Sequence, residues 1–206
     1  MADGMRIGML GLVTTSAPFY AEALSEIDDV SLVAVCTTGR DERYIHESLS
    51  GVDAQRYPKT AQEFSERFGA SVYDEAEPFF DDGSLDAIVL CTEDLLSAGY
   101  AVRALSRGIH VFVPKPFASS LEEAMVLFRA SREGRAFLTP GLPLRHHPVY
   151  QATREALDIG RLGEVLSAHI AVRRRLDLGC WHSDPTLNAG PEFSVGLDTL
   201  DVLGSL

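Results

Sequence analysis

The sequence predicts an α/β protein built on a doubly wound parallel sheet, followed by a truncated α+β second domain. Over residues 1–141, short apolar segments alternate with segments of helical spacing. These apolar segments lack the alternation of polar and apolar residues that marks a half-exposed strand. Strands that are apolar on both faces belong to parallel sheets covered by helices on both sides, and right-handed crossovers make such a sheet doubly wound. The pattern changes at residue 142, so we place a second domain over residues 142–206.

Each predicted strand is an apolar run, and the helices between the strands carry start and stop signals. Ser16 and Ser120 are predicted to cap the first and last of these helices, and Gly108 and Gly134 to end two of them. The predicted strands cover residues 5–12, 30–36, 71–73, 85–91, 110–113 and 136–141. The predicted helices cover residues 16–27, 63–69, 75–80, 97–108 and 120–134.

Ligands of such sheets bind beyond the carboxyl ends of the strands. The candidate functional residues are therefore sought in the segments that follow the strands. These segments are residues 11–16, 37–43, 92–97 and 114–119.

The second domain is predicted to contain two helices and one strand. A helix is expected over residues 147–160 and a terminal helix over 191–206. Between them, residues 164–175 alternate polar and apolar side chains, as a strand in a half-exposed sheet does. A single strand leaves its backbone groups unpaired, so its edge must meet another element. We therefore expect a homo-oligomer formed through the second domain.

Composition restricts the function classes. The formal net charge of −12 argues against nucleic acid and anionic membranes as partners. No window approaches the roughly 18 unbroken apolar residues of a membrane span, and the N-terminus lacks a secretory signal pattern. Three widely spaced cysteines, an odd number, argue for a reducing compartment, and no spacing of residues suggests a metal site. We expect a cytoplasmic protein that acts on a small molecule.

The segment "GLVTTS" (11–16) follows the first strand, where a dinucleotide-binding G-x-G-x-x-G turn belongs. Gly11 matches the first glycine, whereas Val13 and Ser16 stand at the second and third. A β-branched residue at the second position obstructs a pyrophosphate, and the hydroxyls of Thr14, Thr15 and Ser16 compensate in part. An ordinary strand-to-helix turn with a serine cap explains the same residues.

The end of the second strand suggests which dinucleotide is bound. NAD-binding sheets carry an acid here for the ribose diol, but this chain has Thr37 and Thr38, followed by Arg40. Hydroxyls and an arginine suit a 2′-phosphate, so NADP is expected rather than NAD if a cofactor binds. The alternative is a solvated loop in which Arg40 pairs with Asp41 or Glu42.

The segment "GIHVFVPKPFASS" (108–120) contains one of the two lysines of the chain, Lys115, and the other is Lys59. With the residues before and after it, this segment resembles the glucose–fructose oxidoreductase, inositol dehydrogenase and MocA (Gfo/Idh/MocA) family. The family has a strand ending in "atP", a helix "AL..G.HV", and "EKP" before a helix starting "s.eea". The resemblance continues through "GLPLRHHPVYQATREAL" and "GRLGEVLSAHI".

This resemblance implies an NAD(P)-dependent oxidoreductase that moves a hydride between nicotinamide and a sugar, a polyol or a related hydroxy or keto compound. It implies a Rossmann-like dinucleotide-binding domain over 1–141 and a partial substrate and oligomerisation domain over 142–206. The lysine of EKP lies beside the nicotinamide in the family, and Lys115 matches it. An ammonium there stabilises developing negative charge and shares its proton with the substrate hydroxyl. Thr92, Glu93 and Pro114 match positions that line the cofactor.

Several positions depart from the family pattern. Pro114 replaces the glutamate of EKP, and Glu93 replaces the proline that ends the strand. In the terminal segment, Ser194 stands at the family's catalytic aspartate and Asp198 at its histidine. The expected catalytic residues are therefore Lys115 with Asp198 as base, or with His182 entering from "CWHSD". The alternative is a catalytically inactive relative that acts as a nucleotide-binding regulator or oligomer subunit.

Overall fold

Six parallel strands form one sheet in the computed structural model, which describes residues 4–14, 16–39, 57–82, 84–173, 184–190 and 192–205. In chain order the strands are β1 (Met5–Leu10), β2 (Val30–Cys36), β3 (Ser71–Tyr73), β4 (Ala87–Leu90), β5 (His110–Pro114) and β6 (Leu138–Gly141). The α-helices are α1 (Ala17–Ser25), α2 (Ala61–Phe68), α3 (Ala76–Asp81), α4 (Asp94–Leu105), α5 (Leu121–Gly134), α6 (Pro148–Asp158) and α7 (Leu197–Ser205).

The strand order is β3-β2-β1-β4-β5-β6, and every pairing is parallel. The chain builds outward from β1 in one direction, then returns to place β4 on the other side of β1. The strand order reverses between β1 and β4, and in such sheets ligands bind at this reversal, beyond the carboxyl ends of the strands. The doubly wound, Rossmann-like sheet predicted from the sequence is confirmed, and each of the six predicted strands is present.

The apolar residues of the central strands point alternately to the two faces of the sheet. Met9 packs with Phe64 and Val89 on one face, whereas Leu10 packs with Phe79 on the other. Each large apolar side chain withdrawn from water stabilises the fold by about 1.5–3 kcal/mol. Helices cover both faces of the sheet. Polar side chains are therefore found mainly at the carboxyl ends of the strands, which we call the carboxyl edge of the sheet.

Helix capping follows the sequence at one of the two predicted sites. The Ser120 hydroxyl accepts a hydrogen bond from the Glu123 amide at 3.1 Å, as predicted. Ser16 occupies the cap position of α1 without a capping hydrogen bond from its side chain. Its backbone is in the right-handed helical region, not the extended conformation that aims a cap inward, and Pro18 has no N–H to donate.

The second segment is helical over much of its described length. A 3₁₀-helix (Pro143–His146) leads into α6, and a π-helix (Glu192–Gly196) leads into α7. The predicted strand over 164–175 is wrong for residues 164–173, which have no regular secondary structure and are mostly exposed. No described strand pairs with them to accept their backbone hydrogen bonds, so the alternating pattern is not sufficient to form a sheet. Residues 174 and 175 lie outside the described part of the chain.

Candidate active site

The turns that follow β1, β2, β4 and β5 all lie at the carboxyl edge of the sheet, on both sides of the strand-order reversal. The sequence-predicted residues that are described gather there or in α7. Three other predicted residues, Thr15, Arg40 and His182, lie outside the described part of the chain.

Gly11 closes the turn after β1 against the end of β4. It has a φ of +79°, and its amide donates to the Cys36 carbonyl at 2.7 Å. A Cβ on this residue would lie 2.6 Å from Cγ2 of Thr92 and 2.8 Å from the Cys91 carbonyl oxygen. Glycine is therefore required at position 11 by both conformation and space.

Two backbone amides in the rest of this turn are hydrogen-bonded within the protein. The Val13 amide donates to the Cys91 carbonyl at 3.1 Å, and the Val13 residue is 3% exposed. The Ala17 amide donates to the Thr14 carbonyl at 3.1 Å. Burial raises the pKa of Cys91 to about 12. The Val13 side chain is thus packed into the protein.

Ser16 is also engaged, with a tyrosine of α1. Burial raises the pKa of Tyr20 to about 12, and the Tyr20 amide donates to the Ser16 carbonyl at 2.9 Å. The ring of Tyr20 meets Phe112 edge-on, with ring centroids 5.3 Å apart. The Ser16 carbonyl thus links the start of α1 to a residue one turn further along the same helix.

The turn after β2 presents hydroxyls in place of a carboxylate. The Thr37 amide donates to the Tyr73 carbonyl at 3.0 Å, and the Thr37 hydroxyl accepts from the Gly39 amide at 3.3 Å. Thr38 and Gly39 both have positive φ, +61° and +65°, so the chain reverses sharply after the strand. Burial raises the pKa of Cys36, the last residue of β2, to about 11.

The end of β4 carries three buried polar residues. The hydroxyls of Thr92 and Ser97 lie 2.8 Å apart, and Ser97 also donates to the Glu93 carbonyl at 3.2 Å. Glu93 occupies the cap position of α4 and is 1% exposed. Thr92 and Ser97 thus tie the end of β4 to the first turn of α4.

Lys115 directly follows β5 and forms an ion pair with Asp198 of α7. The Lys115 Nζ lies 2.9 Å from Oδ2 of Asp198, and the two side chains are 12% and 7% exposed. Lys115 lies between Pro114 and Pro116, and the Lys115–Pro116 peptide is cis. Prolines on both sides restrict the backbone and so direct the lysine side chain. Tertiary structure thus brings together two of the residues expected from the sequence to act in catalysis.

A second ion pair holds α7 in this position. The guanidinium of Arg145, in the 3₁₀-helix, donates to Asp201 through Nη2 at 2.6 Å to Oδ1 and Nε at 2.8 Å to Oδ2. This hydrogen bonding raises the pKa of Arg145 further. Asp201 lies three residues after Asp198, on the same side of the helix. The two hydrogen bonds from the Arg145 guanidinium therefore fix the rotation of α7 about its own axis. This rotation places Asp198 next to Lys115.

Asp94 is a site residue that the sequence analysis missed. Its Oδ2 accepts from Nδ2 of Asn188 at 3.2 Å and from the Ala189 amide at 3.3 Å. The Leu95 amide donates to the Leu187 carbonyl at 3.1 Å, so the segment 184–190 crosses the start of α4.

The environment of Asp94 perturbs its ionisation. Burial raises the pKa of Asp94 to about 6, while the Ala189 amide and the positive charge of Lys115 act to lower it. Its place just after β4 was the signal in the sequence that could have identified it. Asp94 lies within the segment 92–97 that was searched, but the sequence shows none of its distant partners, and its helix begins at Asp94 and not at residue 97 as predicted.

The described residues contain no cluster of three or more His, Cys, Asp or Glu side chains suited to a metal ion. Within the same ranges, no helix is both long enough and apolar enough to cross a membrane.

The geometry fits a dinucleotide in most respects. The reversal of strand order, the Gly11 turn, the hydroxyls of Thr37 and Thr38 after β2 and the buried lysine after β5 are consistent with such a cofactor. The pyrophosphate cradle is the weaker part, because the Val13 and Ala17 amides are already hydrogen-bonded and Pro18 has none.

Residues 5–142 match the Gfo/Idh/MocA family, described as an oxidoreductase family with an NAD-binding Rossmann fold. A dTDP-3,4-didehydro-2,6-dideoxy-α-D-glucose 3-reductase of Actinomadura kijaniata is 29% identical over 119 residues, 58% of this chain and 36% of that protein. An inositol 2-dehydrogenase of Rhizobium meliloti (strain 1021) is 28% identical over 171 residues, 82% of this chain and 45% of that protein.

Solved structures extend the likeness to the fold. The crystal structure of the A. kijaniata 3-ketoreductase KijD10 with NADP aligns with a TM-score of 0.63 and 25% identity. The alignment covers 78% of this chain and 46% of that chain. This chain therefore spans less than half the length of each of these three proteins.

Proposed function

This chain belongs to the Gfo/Idh/MocA oxidoreductase family, and from that premise we propose that it acts as an NAD(P)-dependent oxidoreductase. The proposed reaction moves a hydride between the nicotinamide ring and a secondary hydroxyl or ketone of a sugar, a polyol or a related compound. The observation that carries the proposal is the buried ion pair of Lys115 with Asp198 at the carboxyl edge of the sheet.

In the proposed reaction, Lys115 orients the reacting hydroxyl and stabilises the negative charge that grows on its oxygen. Asp198 holds the ammonium in place and accepts the proton that leaves the hydroxyl, either directly or through Lys115. A carboxylate performs both tasks because it is a hydrogen-bond acceptor and a base. His182 stays a candidate for the same proton transfer.

The cofactor supplies the hydride acceptor or donor when it is bound. We assign the pyrophosphate to the turn formed by Gly11, Val13, Thr14, Thr15 and Ser16, at the start of α1. The polar ends of β4 and β5, Thr92, Glu93 and Pro114, are assigned to the nicotinamide half of the crevice.

NADP is proposed as the cofactor in preference to NAD. The turn after β2 offers the hydroxyls of Thr37 and Thr38 where NAD-binding sheets place a carboxylate, and Arg40 follows. KijD10, the 3-ketoreductase with 25% identity, has NADP in its crystal structure. A 2′-phosphate meets no carboxylate repulsion from Thr37 or Thr38.

The names of the relatives support a sugar or polyol substrate, since one is a 3-reductase of a dTDP-linked deoxy-keto-hexose and another is an inositol dehydrogenase. Assembly into a homo-oligomer through residues 142–206 and a cytoplasmic location belong to the same proposal. The alternative of a catalytically inactive relative has no support in these findings.

Titration of NADPH and NADH against the protein, followed by nicotinamide fluorescence, tests cofactor binding. A panel of sugars and polyols, followed by cofactor absorbance, tests turnover. Lys115→Ala is expected to abolish the turnover of the fraction that circular dichroism shows to be folded, and Lys59→Ala, at the other lysine of the chain, is the matched control with turnover unchanged. Absence of binding to either cofactor would contradict the proposal.

A further inference from the structure

Asn188 is the only asparagine of the chain, and it lies in the segment 184–190, the crossing segment, which passes over the start of α4. Both ends of its side chain are hydrogen-bonded. Nδ2 donates to Oδ2 of Asp94 at 3.2 Å, and Oδ1 accepts from the Gly190 amide at 2.7 Å. One planar amide group therefore joins the first residue of α4 to the turn that leads toward α7.

The crossing segment is a preformed turn seated on α4. The Leu187 amide donates to the Asp184 carbonyl at 3.0 Å, which closes the turn. The Leu95 amide of α4 donates to the Leu187 carbonyl at 3.1 Å, and the Ala189 amide donates to Oδ2 of Asp94 at 3.3 Å. Backbone and side-chain hydrogen bonds thus hold this turn at one place on the sheet domain.

This attachment matters because Lys115 and Asp198 belong to different parts of the chain. Lys115 follows β5, whereas Asp198 lies on α7, and Nζ and Oδ2 of the two residues are 2.9 Å apart. The contact between Arg145 and Asp201 lies within the second segment and orients α7 only relative to that segment. The crossing segment precedes α7 and is bonded to α4, so it places α7 relative to the sheet.

An amide side chain suits position 188 because it donates at one end and accepts at the other. The ionised carboxylate of Asp94 only accepts, and the backbone N–H of Gly190 only donates. An aspartate at position 188 would keep the bond to Gly190 but would face Asp94 with a second acceptor of the same charge. An alanine would lose both bonds.

We propose that Asn188 is a positioning residue of the reaction site. By bonding Asp94 on one side and Gly190 on the other, it fixes α7 against the sheet and so holds Asp198 beside Lys115. This inference rests on the proposed function, because the reaction supplies the reason for holding Asp198 there. Asn188 touches no reacting atom in this scheme and acts through α7.

The single asparagine provides a direct test of the contact. Protein labelled with ¹⁵N at asparagine gives one pair of side-chain amide signals, from Asn188. Hydrogen exchange of this group is expected to be about tenfold or more slower than in a free asparagine side chain, because it is hydrogen-bonded. Asp94→Ala is expected to remove that protection. The proposal is overturned if the Asn188 side chain of wild type exchanges as fast as free asparagine.

The two lysines provide a test of the positioning itself. Protein labelled with ¹³C at the ε-carbon of lysine gives two NMR signals, from Lys59 and Lys115. Asp198→Asn gives the Lys115 signal of a broken ion pair. In Asn188→Asp and in Asn188→Ala, the Lys115 signal is expected to move toward that reference position, while the Lys59 signal stays in place.

The two variants at position 188 complement each other, because N188A adds no charge that could shift the Lys115 signal by itself. Gln62→Glu is the matched control, since the Gln62 side chain also donates to an acid, Glu66, at 3.0 Å on the exposed side of α2. It is expected to leave both lysine signals unchanged. A Lys115 signal that stays in place in N188A would overturn the positioning role. No cofactor is needed, so this result stands even if the proposed function fails.

Turnover provides the last readout. In N188A the cofactor dissociation constant is expected to stay within about twofold of wild type, while kcat per folded molecule falls by about tenfold. A purely structural role would lower the folded fraction, measured by circular dichroism, and leave kcat per folded molecule unchanged. Equal kcat per folded molecule in N188A and wild type would therefore also overturn the proposal.

Discussion

Lys115 and Asp198 meet as an ion pair 2.9 Å long, with both side chains largely withdrawn from solvent. One residue directly follows a strand of the parallel sheet, and the other lies on the terminal helix of the second segment. The contact therefore joins the two parts of the chain at the place where the proposed chemistry occurs. A buried pair of this kind is costly to break, because the remaining charge loses its nearest counter-charge in a place that water barely reaches.

The first prediction concerns this pair. Asp198→Ala is expected to lower the free energy of unfolding by about 3 kcal/mol, because the Lys115 ammonium loses its carboxylate partner in a buried place. Urea unfolding followed by circular dichroism measures the effect. The control is Asp158→Ala, whose partner Arg154 forms an exposed pair on α6, with an expected loss below about 1 kcal/mol. Equal losses in the two variants would contradict the buried-pair interpretation.

The second prediction concerns the fork that orients α7. Arg145→Ala is expected to destabilise the protein, because Asp201 is 12% exposed and loses a two-point contact. Arg145→Lys is expected to recover only part of the loss, since an ammonium cannot reproduce the planar fork. Turnover per folded R145A molecule is also expected to fall, because Asp198 turns away from Lys115. Arg154→Ala serves as the control, and full activity in R145A would refute the role.

The third prediction separates two glycines by their surroundings. Gly11→Ala is expected to destabilise the protein by about 3 kcal/mol or more, because the new Cβ meets Thr92 and backbone atoms of Cys91 at a positive φ. Gly99 lies inside α4, and a Cβ added there would meet no atom within 4 Å, so Gly99→Ala is expected to stabilise by about 0.5–1 kcal/mol. Thermal unfolding of both variants measures these opposite changes in stability. A G11A protein as stable as wild type would show that the turn is not closed as described.

The fourth prediction is a pH dependence of stability. The folded-state pKa of Asp94, about 6, lies above the ordinary value of 3.8, so the folded protein holds this proton more tightly than the unfolded chain. This contribution is complete below about pH 4 and is lost as pH rises through 6. Wild type is therefore expected to lose stability relative to Asp94→Asn between about pH 4.5 and 7.5, by on the order of 1–2 kcal/mol after allowance for solvent screening.

Urea unfolding of wild type and D94N at these two pH values measures the fourth effect. Asp28→Asn controls for the general change in net charge. A difference between wild type and D94N that is the same at both pH values would show that burial does not perturb this carboxyl.

Local pattern was sufficient to predict the strands, the crossovers and the edge where the site lies. Parallel strands buried on both faces are apolar throughout, so each appeared in the sequence without reference to its neighbours. Lys115 was found for a similar reason, because a rare residue between two prolines directly follows such a strand. These signals depend on covalent neighbours within a few residues.

Local pattern failed where the outcome depends on distant groups. Residues 164–173 alternate like a strand, yet no strand of the described sheet pairs with them, and alternation without a partner does not form a sheet. Asp94 went unnoticed because its importance comes from Asn188, Ala189 and Lys115, which lie far away in the chain. Ser16 failed for a local reason instead: it was expected to cap a helix, but its own backbone conformation excludes that bond.

The sequence by itself determined a doubly wound parallel sheet and the set of polar residues at its carboxyl edge, because hydrophobic periodicity and turn chemistry are local properties. Only the tertiary structure decided that Asp198 pairs with Lys115, that Arg145 orients the helix carrying it, and that Asp94 lies under a crossing segment. Those contacts join residues far apart in sequence, and their strength depends on burial, which exists only once the chain has folded.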